Sequence, residues 1–376
     1  MKRVHAVFAI VVVLAMLLSA CAAPAAAPAA APAAGDTAAA TATEASAAAP
    51  ADSAADSVAK GKTICFAYQD LETEFWVAGH KAIVETLNGL GVNVIERNAN
   101  EDANKQLEQV KDCIAQGVDG IIIIPQDGES AVTIVGEANK AGIPIGVFNR
   151  PPANKDNPTL VIVANNEVIT KQAVEYMAEE AKKLGRKVTP MIMVGDLGDP
   201  NAVGRRQGFM DVIEANPDLF NTPIEVPTKW DGNTALANLE AAMQANPEVD
   251  MLFTSSDFMY PQIRSVLDPL GRWKKVGEEG HMILGGLDGD STACRLMRDG
   301  YVDATGVQDL FFEADTIMKA MLDAIAKGEK TPENWMDDPG FALTQGNWQD
   351  KAADMWGCKL VVDAGEKLDR TFAAPQ

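Results

Sequence analysis

The stretch VTPMIMVGDLGDPNAVGRRQGF, residues 188–209, joins a run that is apolar on both faces to a segment that opens a helix. A strand with no polar face belongs inside a parallel sheet covered by helices on each side, so the junction reads as one βα unit. Upstream, TICFAY (63–68), VNVIER (92–97), GIIII (120–124) and PIGVF (144–148) alternate with segments of helical periodicity. Downstream, IEVPT (224–228), MLFTSSD (251–257), MILGGLDGD (282–290) and DATGVQD (303–309) do the same, and a last long helix is expected over about 311–327. The fold class is α/β. Two successive doubly wound units, meeting after NPTLVIVANN (157–166), fit this order better than one continuous sheet; an eight-stranded α/β barrel is the alternative.

The first 21 residues, MKRVHAVFAIVVVLAMLLSAC, carry two cations, an apolar run and small residues before a cysteine. That is the pattern of a secretory leader, and the run is short for a membrane span, which needs about 20 apolar residues. Leu18-Ser19-Ala20-Cys21 resembles a bacterial lipoprotein signal, which implies cleavage after residue 20 and lipidation of Cys21. Residues 21–60 are Ala, Pro, Ser and Thr with almost no large apolar side chain, a composition that cannot offset chain entropy and reads as a disordered tether. The remainder exceeds what one core usually accommodates, roughly 250–300 residues, and is expected to form two lobes.

The formal net charge is −21, which disfavours nucleic acid as a partner, because that binding relies on Lys and Arg neutralising phosphates. Cysteines 65, 113, 294 and 358 show no CxxC spacing. In an exported chain they either pair or stay as buried thiols, and Cys294 with Cys358, both in the C-terminal half, is the favoured pair.

Ligands of open α/β sheets bind beyond the carboxyl ends of the strands. Those ends carry Asp70, Glu72, Glu74, Phe75 and Trp76; Asn149 and Arg150; Asp199, Asn201 and Arg205; Lys229, Trp230 and Asp231; Ser255, Ser256 and Asp257; Asp288; and Gln308 and Asp309. Planar hydrogen-bonding groups interspersed with aromatic rings suit a sugar-like ring, polar at its edge and apolar on its faces. Arginine forks donate to two neighbouring oxygens at once, which favours Arg205. Arg150 and Arg206 fit a solvated or salt-bridged role equally well, and Asp199 before Pro200 also reads as a plain helix cap. No phosphate loop, GxSxG elbow, HExxH or zinc ligand set is present. Paired carboxylates leave a secreted carbohydrate-active enzyme as a rival reading.

These residues, in this order, resemble the periplasmic sugar-binding proteins of ABC importers, specifically the ribose-binding and galactose/glucose-binding group. The likeness runs from about Lys62 to Lys330 and rests on Thr73-Glu74-Phe75-Trp76, Phe148-Asn149-Arg150, GDPNAVGR (198–205), Trp230, Ser256-Asp257, Asp288 in GLDG and Gln308 in TGVQD. The resemblance implies two Rossmann-like lobes joined by three crossings, near Asn165, near Gln308 and Asp309, and after about Lys330. It implies an N-terminal lobe of residues 61–165 with 309–332, and a C-terminal lobe of 166–308 with 333–376. By carry-over the ligand residues are Thr73, Phe75, Trp76, Asn149, Arg150, Asp199, Asn201, Arg205, Trp230, Ser256, Asp288 and Gln308.

The implied protein is a monomer outside the cytoplasm, lipid-anchored at Cys21, that takes a monosaccharide or polyol without cofactor or catalysis and presents it to an ABC permease. A ligand-sensing subunit for a membrane receptor is a further alternative. Asp199, Asn201 and Ser256 depart from the family's His, carboxylate and amide, which implies a different sugar or a cyclitol. The calcium loop of the galactose/glucose branch has no counterpart in KKLGRKVTPM (182–191), so no metal is expected. The stretch from Thr331 to Gln376, with three tryptophans and Cys358, is longer than the family usually has and receives no role.

Overall fold

A computed structural model describes residues 58–372. The expected leader, Cys21 and nearly all of the expected tether lie outside the described residues. Within them the chain forms two six-stranded sheets, each with helices on both faces. The first contains β1 (Thr63–Tyr68), β2 (Asn93–Asn98), β3 (Gly120–Ile124), β4 (Ile145–Phe148), β5 (Leu160–Ala164) and β11 (Asn334–Asp338), in the order β11-β5-β4-β3-β1-β2. The second contains β6 (Thr189–Val194), β7 (Ile224–Pro227), β8 (Val249–Thr254), β9 (Ile283–Asp288), β10 (Ala304–Val307) and β12 (Phe341–Thr344), in the order β12-β10-β9-β8-β6-β7. All pairings are parallel except β10 with β12. Ile121 to Ile124 are fully buried, which is what a central strand covered on both faces requires.

The helices, in chain order, are α1 (Glu74–Gly89), α2 (Ala103–Ala115), α3 (Gly128–Ala141), α4 (Asn166–Lys182), α5 (Pro200–Ala215), α6 (Gly232–Ala245), α7 (Tyr260–Leu267), α8 (Ser291–Asp299), α9 (Leu310–Lys327), α10 (Trp348–Lys351) and α11 (Trp356–Asp363). Asp102, Asp127, Asp199, Asp231, Asp290 and Asp309 each cap a helix, with a side-chain oxygen accepting from a backbone N–H of the first turn. In βα units every strand exit leads into a helix start, so the caps and the helix N-termini gather at the same end of each sheet. Much of the acidity at the strand exits is therefore capping chemistry, favoured by orphan N–H groups and the helix dipole.

The chain crosses between sheets three times: at Asn165, at Gln308-Asp309, and at Pro339-Gly340. The third crossing lies later than the sequence suggests. NWMDD (334–338) joins the first sheet beside β5, although residues 333–338 read as part of the second lobe. Its mostly polar, half-exposed edge pattern carries no strand signature.

Asp338 ties the crossings together. Its carboxylate accepts from the Asp309 N–H at 2.6 Å and its carbonyl accepts from the Asn165 N–H at 3.2 Å. Glu313 of α9 is fully buried beside it, and both carboxyls are pushed up, first by burial; the neighbouring Asp338 raises Glu313 further. Two carboxyls in one dry site hold a proton between them more readily than two charges. Disulfides join Cys65 on β1 to Cys113 on α2, and Cys294 on α8 to Cys358 on α11.

Two outcomes follow from this packing. A methyl group on Gly208, where α5 crosses α4, would press on the Glu167 carbonyl and the Thr170 side chain, so Gly208→Ala should lower the urea-unfolding free energy by about 1–3 kcal/mol; unchanged unfolding would contradict the close helix crossing. Glu313 keeps its proton in the folded state after an unfolded-state carboxyl has lost it, so its contribution to stability falls as pH rises above about 4.5. Glu313→Gln cannot ionise and should gain stability relative to the parent as pH rises from about 4.5 towards neutrality, by up to about 1.4 kcal/mol per pH unit. A difference constant across that range would show that Glu313 ionises normally.

Candidate functional site

The carboxyl ends of the two sheets face a cavity of about 670 Å³, a size typical of small-molecule sites. All twelve residues singled out in the sequence line it: Thr73, Phe75, Trp76, Asn149 and Arg150 from the first lobe, Asp199, Asn201, Arg205, Trp230, Ser256 and Asp288 from the second, and Gln308 from the second crossing. Thr73 is also the cap of α1, accepting from Trp76 N–H at 3.4 Å. Arg206 lies apart, paired with Glu225 at the surface at 2.6 Å.

At the floor of the cavity runs a closed ring of six buried polar side chains, five of which line it. Asn166 Nδ2 donates to Asn201 Oδ1 at 3.0 Å, and Asn201 Nδ2 donates across the lobes to Asn149 Oδ1 at 3.1 Å. Asn149 Nδ2 donates to Gln308 Oε1 at 3.0 Å, and Gln308 Nε2 donates to Asp288 Oδ1 at 2.9 Å. Arg205 closes the ring, with Nη1 3.0 Å from Asp288 Oδ1 and Nε donating to Asn166 Oδ1 at 2.7 Å. Each of the six is at most 7% exposed, so each polar group needs the partner the ring supplies. Glu313 extends the ring to the crossings by accepting from Asn149 Nδ2 at 2.9 Å.

Two arginine–tryptophan stacks stand above this floor, one per lobe. The Arg150 guanidinium lies 5.5 Å from the Trp76 ring centre, and that of Arg205 lies 5.5 Å from the Trp230 ring centre. Arg150 Nε sits 2.8 Å from Asp199 Oδ2 across the cleft, an ion pair without hydrogen-bond alignment, while its Nη1 donates to the Pro125 and Gln126 carbonyls and to the Gln69 side chain. Asp199 is a helix cap and also stands on the cavity wall. It caps α5 through Asn201 N–H at 2.9 Å, and it also pairs with Arg150 and accepts from Trp230 Nε1 at 3.2 Å on the cavity wall.

Backbone strain concentrates in the same residues. Asn149, Lys229, Trp230 and Asp288 have φ of 63°, 55°, 58° and 135° without being glycine, conformations that persist only where the surroundings hold them. Burial pushes the Asp288 carboxyl up, and Arg205, Ser256 and Gln308 pull it back towards the charged form. At the mouth, Glu101 is pushed up by partial burial and by Asp70, Glu72 and Asp231. Exposed Lys229 is the one cation among the mouth residues Glu72, Glu101, Glu129, Asp196 and Asp231. An anion entering there meets repulsion, whereas a neutral polyol does not.

Sequence reasoning missed Asn166, Gln69 and Glu313. Asn166 follows the first crossing directly and could have been found as a strand-exit amide. Glu313 sits one turn inside α9 and offers no such signal.

Comparison with known proteins agrees with this architecture. The family model described as "Periplasmic binding protein domain" matches residues 64–330. The ribose import binding protein of Salmonella typhimurium is 26% identical over 283 residues, covering 75% of this chain and 91% of the relative. The D-xylose-binding periplasmic protein of Haemophilus influenzae is 27% identical over 282 residues, covering 73% and 81%. Among solved structures, an ABC transporter solute binding protein of Bacillus halodurans with bound myo-inositol superposes with a TM-score of 0.68 at 27% identity, covering 78% of this chain and 98% of that one. With the two sheets, the three crossings and a family match over most of its length, the chain belongs to the periplasmic binding protein domain family.

Proposed function

We propose that this protein captures one monosaccharide or closely related polyol between its lobes and delivers it to an ABC permease. The observation that carries the reading is the pair of arginine–tryptophan stacks above a floor of amides and one carboxylate. A sugar ring offers C–H faces to Trp76, Phe75 and Trp230, and edge hydroxyls that both donate and accept. Arg150 and Arg205 would donate to them, Asp288 would accept, and Asn149, Asn201 and Gln308 would do either. The mouth acids argue against phosphorylated or carboxylated sugars. The named relatives are a ribose import binding protein, a D-xylose-binding periplasmic protein and an ABC transporter solute binding protein with bound myo-inositol, and the roles of the twelve residues here are our assignment.

Closure would be a hinge motion about the three crossings. A ligand favours the closed form only through contacts it makes there and not in the open form. Ligands that touch residues of both lobes meet that condition. Cys21 would carry the lipid that keeps the protein at the outer face of the cytoplasmic membrane.

Calorimetric and thermal-shift titration with pentoses, hexoses, deoxysugars, inositols and nucleosides should give one-to-one binding of one or a few neutral sugars or polyols with no product formed. Turnover at catalytic protein concentration, or preference for an anionic sugar, would contradict the reading. Arg205→Lys keeps the charge but loses the fork and should weaken affinity by more than about tenfold; affinity within twofold of the parent would remove Arg205 from the site. Cys21→Ser should move the expressed protein from the membrane fraction to the soluble one, and retention in the membrane fraction would contradict the lipid anchor.

A further inference from the structure

The segment beyond residue 330, outside the family match, reaches the floor of the cleft. After β12 the chain runs through α10 to α11, whose first residue, Trp356, is fully buried. Its indole Nε1 donates to the Asp288 carbonyl at 2.8 Å, and the next residue, Gly357, donates its N–H to the Gly289 carbonyl at 3.0 Å. Gly357 has no room for a side chain, because a Cβ there would collide with the Asp290 carbonyl group. Cys358 is joined by a disulfide to Cys294 of α8, the helix that Asp290 caps. These contacts bracket the turn where φ is 135° at Asp288 and 85° at Gly289. On its other side the Trp356 ring meets Phe75 of the first lobe, edge to face, with ring centres 5.8 Å apart.

We propose that Trp356 is a positioning residue for ligand binding: it holds the Asp288 backbone so that the carboxylate points at Arg205 and the cleft, and it supports Phe75 on the opposite wall. Asp288 needs such a partner. Its carboxylate is committed to Arg205, Ser256 and Gln308, and its carbonyl otherwise accepts only the long 3.3 Å bond from the Gln308 N–H, whereas a left-handed non-glycine backbone persists only where its surroundings hold it. The Trp356 N–H, at 2.8 Å, supplies the shorter hold on that carbonyl, and the disulfide keeps α11 from withdrawing. Residues 331–372 thereby belong to the binding apparatus. This inference rests on the reading of the cleft as a sugar site.

Trp356→Phe keeps the ring against Phe75 and removes the N–H. With D-ribose, D-xylose and myo-inositol as calorimetric probes, it should weaken whichever binds the parent by about tenfold, the worth of one buried hydrogen bond. Asp288→Asn should weaken the same probe, and the double variant should lose less than the product of the two factors, because both act on one residue. Affinity within twofold for Trp356→Phe, or two factors that multiply, would overturn the proposal. If none of the three binds the parent, the tightest binder of the wider sugar and polyol panel replaces them; if that panel gives no binder either, the sugar reading fails instead, and the positioning contact is read without ligand. In indole-¹⁵N-labelled protein, Asp288→Asn should shift the Trp356 N–H resonance and leave Trp273, stacked on Tyr301, in place. An unmoved Trp356 resonance would overturn the contact, and this measurement holds even if Trp356→Phe fails to fold.

Discussion

A ring of buried polar side chains that must satisfy one another constrains everything else in this molecule. Asn166, Asn201, Asn149, Gln308, Asp288 and Arg205 come from both lobes and from two of the three crossings. An unpaired buried amide costs on the order of 1–3 kcal/mol and an unpaired buried charge more, so moving one member leaves its neighbours without partners. The ring therefore fixes the relative placement of strand ends that are far apart in sequence. It also explains why strained backbone collects at Asn149 and Asp288: at those positions the ring dictates the direction of the side chain, and the main chain gives way.

The same ring relates the site to lobe motion. Asn201 to Asn149 and Arg150 to Asp199 both span the cleft, and on another edge the Ser291 N–H and hydroxyl donate to Glu74 at 2.8 Å. A hydroxylated ligand offers donors and acceptors of the same kind as those cross-cleft bonds, so it can replace or join them without leaving a buried group unpaired. The link from Asn149 through Glu313 to Asp338 carries the floor into the crossings themselves, the hinge of the closure proposed above.

Most of the fold and the cavity-lining residues were legible because parallel α/β architecture writes its site in a simple place. Each buried strand ends in a recognisable break, and the next few residues face the cleft; Asn149, Arg205, Trp230 and Asp288 could be named that way. What escaped was of another kind. Asn334–Asp338 is an edge strand with exposed polar residues, so neither period nor composition marks it. Glu313 and Trp356 reach the site from within a helix and from a distant terminal segment, and their relevance depends on tertiary register. The Cys65–Cys113 pairing depends on which face of α2 meets β1 and could not be chosen over free thiols, whereas Cys294–Cys358 was the favoured pair.

The most direct measurement is a crystal structure of the protein with its tightest-binding sugar or polyol. The account predicts a ring lying between Trp76 or Phe75 and Trp230, with hydroxyls on Arg150, Arg205, Asn149 and Asp288 and the lobes closed over it. A ligand seated outside the cleft, or one that touches a single lobe and leaves Arg205 and Asp288 as they are without it, would contradict the account.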